Sequence, residues 1–172
     1  MGDGAPGKGK AHGAKAGECE LQSRLFTYGR GQGRYAEDHP AHPKVDLGPR
    51  IRLYADRCIG CTRCIRFCDE VSTSGELGRT GRGERAHVAI FPGRQLDNPL
   101  SGNIVDLCPV GALVEKEAHI GPPVWQLRGV DSVCAGCSTG CNVRVDVHRD
   151  RVVRIKPRYN AEVNQYWICD EG

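Results

Sequence analysis

The apolar positions of this chain fall into short runs of two different periods, separated by turn-rich sequence. Ile51, Leu53 and Ala55 alternate with Arg52 and Tyr54, the period of a half-buried strand, and the segment runs straight into a cysteine loop. Residues 65–71 read as a short helix, and residues 87–91 as a second strand beyond a Gly/Arg-rich linker at 75–85. Residues 103–107 predict one or two helical turns, started by Ser101 or Asn103 and stopped by Pro109. Residues 111–120 lead out to Pro122-Pro123, a module boundary. The clearest hairpin signal follows: Val143, Val145 and Val147 alternate with polar residues, Arg149-Asp150 turns, and Val153 and Ile155 alternate back. The turn is not the preferred Asn-Gly type, so this register is only loosely specified.

Upstream, residues 21–28 form an amphipathic stretch, followed by the Gly/Arg-rich YGRGQGRY and the rigid HPAHP. This reads as a docking segment and linker. His39 and His42 each precede a proline in extended sequence, so they are read as linker residues and not as ligands. Residues 1–17 are low-complexity Gly/Ala/Lys with almost nothing to bury, and read as a disordered tail. The chain thus divides into a tail at 1–17, a linker region at 18–50, a module at 51–121 and a second at 122–172. No repeat is visible beyond two cysteine groups, and the fold class is α+β, built of small modules strung along one chain.

Composition sharpens this picture. Gly and Pro make up about a fifth of the 172 residues and aromatics only 6%, so a large apolar core is not expected. Ten cysteines cluster instead of spreading evenly, which favours metal over disulfides. The formal charge of +3 derives mostly from Lys8, Lys10 and Lys15, opposed by Asp3, in the tail, and acids interleave with arginines elsewhere. Nucleic-acid binding therefore finds little support. No run of 18 apolar residues exists to span a membrane, and the N-terminus has no apolar core of a signal peptide, which favours a reducing compartment.

The first cysteine group is Cys58-x2-Cys61-x2-Cys64, with Cys68 three residues further on and Cys108-Pro109 far downstream. A tetrahedral zinc site gathers four ligands around one atom and usually draws them as two separated pairs. A cubane offers four iron corners, so a tight loop takes three of them and a distant Cys the fourth. The three-plus-one pattern matches the cubane better, and Pro109 fixes the backbone beside the fourth corner. Cys58, Cys61, Cys64 and Cys108 are assigned to one [4Fe-4S] cluster. Cys68, followed by Asp69, is read as a small apolar packing residue. The second group, Cys134-x2-Cys137-x3-Cys141 with Cys169 beyond the hairpin, is assigned to a second [4Fe-4S] cluster. Gly136, Ser138 and Gly140 keep that loop small enough for its amides to approach cluster sulfurs. Two clusters would supply the folding free energy that a weak core does not. No catalytic motif is visible, and Gly29 to Gly33 lacks the helix and acidic residue of a dinucleotide site.

GECELQ (17–22), YGRG (28–31), CIGCTRCIRFCDEV (58–71), SGNIVDLCPVGAL (101–113), CAGCSTGC (134–141) and WICDEG (167–172) together resemble an internal stretch of the large iron-sulfur subunit of respiratory complex I, the NADH:quinone oxidoreductase. The resemblance implies a small ferredoxin-like module followed by a hairpin-rich module like the start of a molybdopterin-oxidoreductase domain. It also implies two [4Fe-4S] clusters, the first on the main electron path and the second off it. The implied partners are other peripheral-arm subunits, at the cytoplasmic face of a bacterial inner membrane. NADH and quinone would react elsewhere than on this chain. Cys19 falls on the last position of the family's His-x3-Cys-x2-Cys-x5-Cys cluster, whose other positions are Pro6, Lys10 and Gly13 here, so Cys19 is read as a remnant ligand. The family's upstream [2Fe-2S] domain and its large downstream domain are not in this sequence, which reads as a piece cut at both ends. Two alternatives stand beside this reading: an electron-entry segment of a molybdenum- or tungsten-dependent formate dehydrogenase or NAD-reducing hydrogenase, and a zinc-binding interaction module.

Overall fold

The computed structural model describes residues 20–30, 44–117 and 122–172; Cys19, His39 and His42 lie outside them. The amphipathic stretch at the start forms helix α1 (Glu20–Tyr28), with Leu25, Phe26 and Tyr28 facing solvent. Two modules follow.

In the first, β1 (Lys44–Asp46), β2 (Ile51–Tyr54) and β5 (Leu113–Glu115) form an antiparallel sheet with β2 in the centre. Leu53 lies opposite Val45 on one side and Leu113 on the other. A second antiparallel pair, β3 (Leu77–Thr80) with β4 (His87–Ile90), packs through β3 on helix α2 (Arg63–Glu70), and α2 packs on helix α3 (Asn103–Leu107), which also meets β5. One apolar cluster holds these pieces together, with Leu47, Ile51, Phe67, Leu77, Leu96 and Ile104 almost fully buried.

Three expectations change here. The linker at 75–85 contains β3, the lead-out at 111–120 contains β5, and the 18–50 linker contains β1. None shows the alternation that identifies a strand. Leu77 is the single apolar anchor of β3, Leu113 and Val114 of β5 are both buried, and β1 is an exposed edge. What holds β1 is pairing, reinforced where Arg52 Nε donates to Asp46 Oδ1 at 2.6 Å and Lys116 Nζ lies 3.1 Å from Oδ2. These two cations hold the Asp46 carboxyl at about 2, below its ordinary 3.8.

The second module is an antiparallel meander of β6 (Arg128–Val133), β7 (Asn142–His148) and β8 (Arg151–Pro157). Its hairpin lies where the valine alternation puts it, with His148 opposite Arg151. Arg149 and Asp150 supply the two left-handed residues of the turn, at φ 47° and 61°, although neither is glycine or asparagine. The sheet buries little: Val143 is 2% exposed, whereas Val130, Val152 and Ile155 face solvent. On the other face Asp146 is buried between Arg154 Nε at 2.6 Å and Arg144 Nε at 3.4 Å, so its charge is paired. Beyond β8 the chain turns back as a strap, residues 158–172, that reaches across to the first module.

Candidate metal centres

The loop before α2 carries three thiols, and its backbone is shaped to turn them inward. Gly60 and Thr62 both adopt left-handed conformations, at φ 66° and 59°, so the chain wraps tightly between Cys58 and Cys64. Thr62 is also the residue from which α2 starts. From the far side α3 ends at Cys108, its C-cap residue. Cys58, Cys61, Cys64 and Cys108 thereby line a single cavity whose remaining wall is mostly apolar, with Val88 and Leu113 among its residues and Thr62 and Arg63 at the loop. Two sulfurs already accept backbone hydrogen bonds: Gly60 N–H donates to Cys58 Sγ at 3.4 Å and Ala112 N–H to Cys108 Sγ at 3.3 Å. Burial pushes the Cys64 thiol up to about 12, and the charges of Cys108, Cys58 and Cys61 push in the same direction.

Cys68 is separate from this cavity. It lies one turn further along α2, is fully buried in the apolar cluster, and its thiol is pushed up to about 11, chiefly by burial. Its main-chain carbonyl closes the helix by accepting from Ser74 N–H at 2.8 Å, Gly75 N–H at 3.1 Å and Ser72 Oγ at 3.3 Å.

The second group sits on the loop between β6 and β7. Cys134 N–H donates to the carbonyl of Cys141 at 2.8 Å, closing the loop that presents Cys134, Cys137 and Cys141. Cys169, on the strap, is near enough for its charge to act there: burial raises the Cys141 thiol most, followed by the charges of Cys137, Cys134 and Cys169. Cys137 is exposed, and hydrogen bonds from the Thr139 side chain and backbone hold its thiol below the ordinary range.

Sequence reasoning missed the residues that fix the strap. Asn103 is buried and its side-chain amide brackets Ile168: Nδ2 donates to Ile168 O at 2.7 Å, and Ile168 N–H donates to Oδ1 at 3.1 Å. Asp170 accepts Ser101 Oγ at 2.6 Å and Gly102 N–H at 2.8 Å. Ser101 and Asn103, expected as caps of α3, therefore bind the strap, and Gly102 is the cap residue. Trp167 packs edge-on against Phe67, with ring centroids 4.9 Å apart. The motifs at 101–113 and 167–172 contain these residues, but nothing in the sequence shows that the two stretches pair with each other.

Among the described residues, no three His, Cys, Asp or Glu side chains converge closely enough to hold a single ion. The first four thiols line a cavity instead. Zinc needs its sulfurs about 2.3 Å from one point, whereas a cubane presents four separate iron corners. The donor set, the apolar wall and the amide-to-sulfur bonds all suit the cluster.

Residues 48–114 match the family of the NADH-quinone oxidoreductase subunit 3 ferredoxin-like domain, and residues 127–172 match the molybdopterin oxidoreductase Fe4S4 domain. Over 158 residues the chain is 38% identical to the 75 kDa subunit of NADH-ubiquinone oxidoreductase of Reclinomonas americana, covering 92% of this chain and 23% of that protein. It is 41% identical over 159 residues to the 78 kDa subunit of NADH-ubiquinone oxidoreductase of Neurospora crassa, covering 91% of this chain and 21% of that one. The chain therefore spans under a quarter of the length of these curated relatives. Among solved structures, it resembles a chain of an NAD+-reducing [NiFe]-hydrogenase in the H2-reduced state, with a TM-score of 0.54 and 28% identity, over 64% of this chain and 48% of that one.

Proposed function

Because this chain is a relative of the large iron-sulfur subunit of NADH-quinone oxidoreductase, with a ferredoxin-like domain followed by an Fe4S4 domain, we propose that it is a two-centre electron-relay segment of such a complex. Cys58, Cys61, Cys64 and Cys108 hold one [4Fe-4S] cluster within the module at 51–121. Cys134, Cys137, Cys141 and Cys169 hold another within the module at 122–172. When bound, such clusters supply one-electron transfer with no bond made or broken on the protein. The observation that carries this reading is the convergence of Cys58, Cys61, Cys64 and Cys108 on one apolar-walled cavity from a tight loop and a distant helix end.

The chain's own residues then have defined tasks. The eight thiolates ligate. Gly60 and Ala112 donate N–H bonds to ligand sulfurs, which stabilises the more negative, reduced state. Val88 and Leu113 keep water from the first centre. Cys68 stays a protonated packing residue. The relay takes electrons from the NADH side and passes them toward quinone through other subunits of the peripheral arm, with no NADH- or quinone-reactive site here. Among the described residues no helix is long and apolar enough to cross a membrane. The similarity to the large subunits supports a place in the peripheral part of the complex, on the cytoplasmic side.

Anaerobic iron and acid-labile sulfide analysis of the full chain tests the assignment. The expected content is about eight iron and eight sulfide per chain, with EPR signals on reduction. Zinc without labile sulfide defeats it in favour of the interaction module. Cys64→Ser should remove half the iron while Cys68→Ala leaves it unchanged. The likeness to the NAD+-reducing hydrogenase favours a second reading, in which the same relay serves hydrogen oxidation. Neighbouring genes encoding a nickel-iron subunit, in place of quinone-side subunits, would select it.

A further inference from the structure

The segment carrying Cys169 is held at both ends by buried asparagines, one from each module. Asn164 ties its beginning to the second module: Asn142 N–H donates to Asn164 Oδ1 at 3.0 Å, and Asn164 Nδ2 donates to Arg158 O and Trp167 O, both at 3.2 Å. Asn142 directly follows Cys141. Asn103 takes the other end through the paired bonds to Ile168. Asp170 completes the attachment. Besides Ser101 and Gly102, its N–H donates to Pro99 O at 2.7 Å, and Arg50 Nη1 donates to its carbonyl at 2.8 Å. Cys169 thus lies between two residues that are bonded to the first module, while Cys134, Cys137 and Cys141 belong to the second.

The two modules contribute unequally to this arrangement. The first has a contiguous apolar cluster of its own, whereas the sheet of the second buries one valine. The first module's buried core comes from residues 47–113, and Trp167 of the strap packs against it from outside. The second cannot place its fourth thiol without the first. We propose that Asn103 and Asp170 are positioning residues for Cys169, so that completion of the second centre depends on the first module while the first centre forms independently. The dependence is one-way, and it rests on the cluster reading above.

The experiment compares full chains assembled anaerobically: unaltered, Asn103→Ala, Asp170→Ala, Asp170→Asn and Cys137→Ser. Iron and labile sulfide are counted, and low-temperature EPR of the reduced chain resolves the two centres. Cys137→Ser should keep the first centre at full occupancy. Asn103→Ala and Asp170→Ala should each keep the first signal and lower occupancy of the second by about tenfold, the factor expected from losing one or two buried hydrogen bonds. Asp170→Asn keeps an acceptor for the Gly102 N–H, and its new amide N–H can donate to Ser101 Oγ, so it should recover most of the second signal. Full retention of both centres in Asn103→Ala and Asp170→Ala overturns the inference. So does equal loss of both centres in Asp170→Ala, because that residue lies outside the first module's core. Failure of the cluster reading itself would appear already in the unaltered chain, as absent labile sulfide.

Discussion

Thiol chemistry varies sharply from residue to residue along this chain, and the variation orders reactivity. Cys137 is exposed and hydrogen-bonded by Thr139, which favours its thiolate, whereas Cys64 and Cys68 are buried with their thiols pushed up to about 12 and 11. Because the thiolate is the nucleophile, iodoacetamide at pH 8 should modify Cys137 first among the described cysteines of the metal-free chain, and Cys64 and Cys68 last, as read by peptide mass mapping. Cys68 labelling as fast as Cys137 would contradict its placement in the core. The same burial has a consequence for stability. Both buried thiols hold their protons more tightly when folded than at the ordinary 9.0, so the metal-free fold has its full stability below pH 9 and loses it as pH rises toward 11 to 12. Denaturant midpoints measured from pH 7 to 11 should therefore fall only above pH 9, and Cys68→Ala should flatten the decline.

At the level of elements, the β7–β8 hairpin carries a local conflict between sequence and geometry. Arg149 and Asp150 occupy two successive left-handed positions, where asparagine and glycine are at ease. Replacing them by Asn and Gly should stabilise the second module by about 1 kcal/mol, through relief of left-handed strain partly offset by the unfolded-state entropy of glycine, measured by chemical denaturation. An unchanged or lower midpoint would mean that the turn is held by contacts that the new residues lack. The hairpin was nevertheless readable, because Val143, Val145 and Val147 impose the period of two whatever the turn. Strands β3, β5 and β6 were not readable for the opposite reason. Leu77 stands alone in β3, Leu113 and Val114 are both buried, and β6 is a polar Arg-Gly-Val-Asp-Ser-Val run, so pairing with a neighbour decides their conformation. Cys58, Cys61, Cys64 and Cys108, grouped by their spacing in the sequence, line one cavity, because the tight loop and the end of α3 meet there. Asn103 and Asp170 were not legible, since Asn103 meets its partner 65 residues away and a lone asparagine looks like a helix cap.

Across the whole molecule, the two modules meet through Phe67 and Trp167, the strap hydrogen bonds, and an ion pair between Lys156 and Asp106 at 3.2 Å. The exposed pair contributes little by itself. The Trp167 ring contributes more: Trp167→Ala should cost about 2 to 4 kcal/mol. Thermal unfolding followed by circular dichroism should then separate into two transitions, the second module melting first. A single transition in this variant would place the coupling elsewhere. The position of Cys169 along the chain adds a temporal consequence. Translation runs from the N-terminus, and domains fold as they emerge. All four thiols of the first quartet leave the ribosome before any of the second, whereas the second stays one ligand short until the strap has been made. On the two-cluster proposal, delivery to the two centres is staggered during synthesis, and the later centre receives its last ligand on a surface that the first module has already formed.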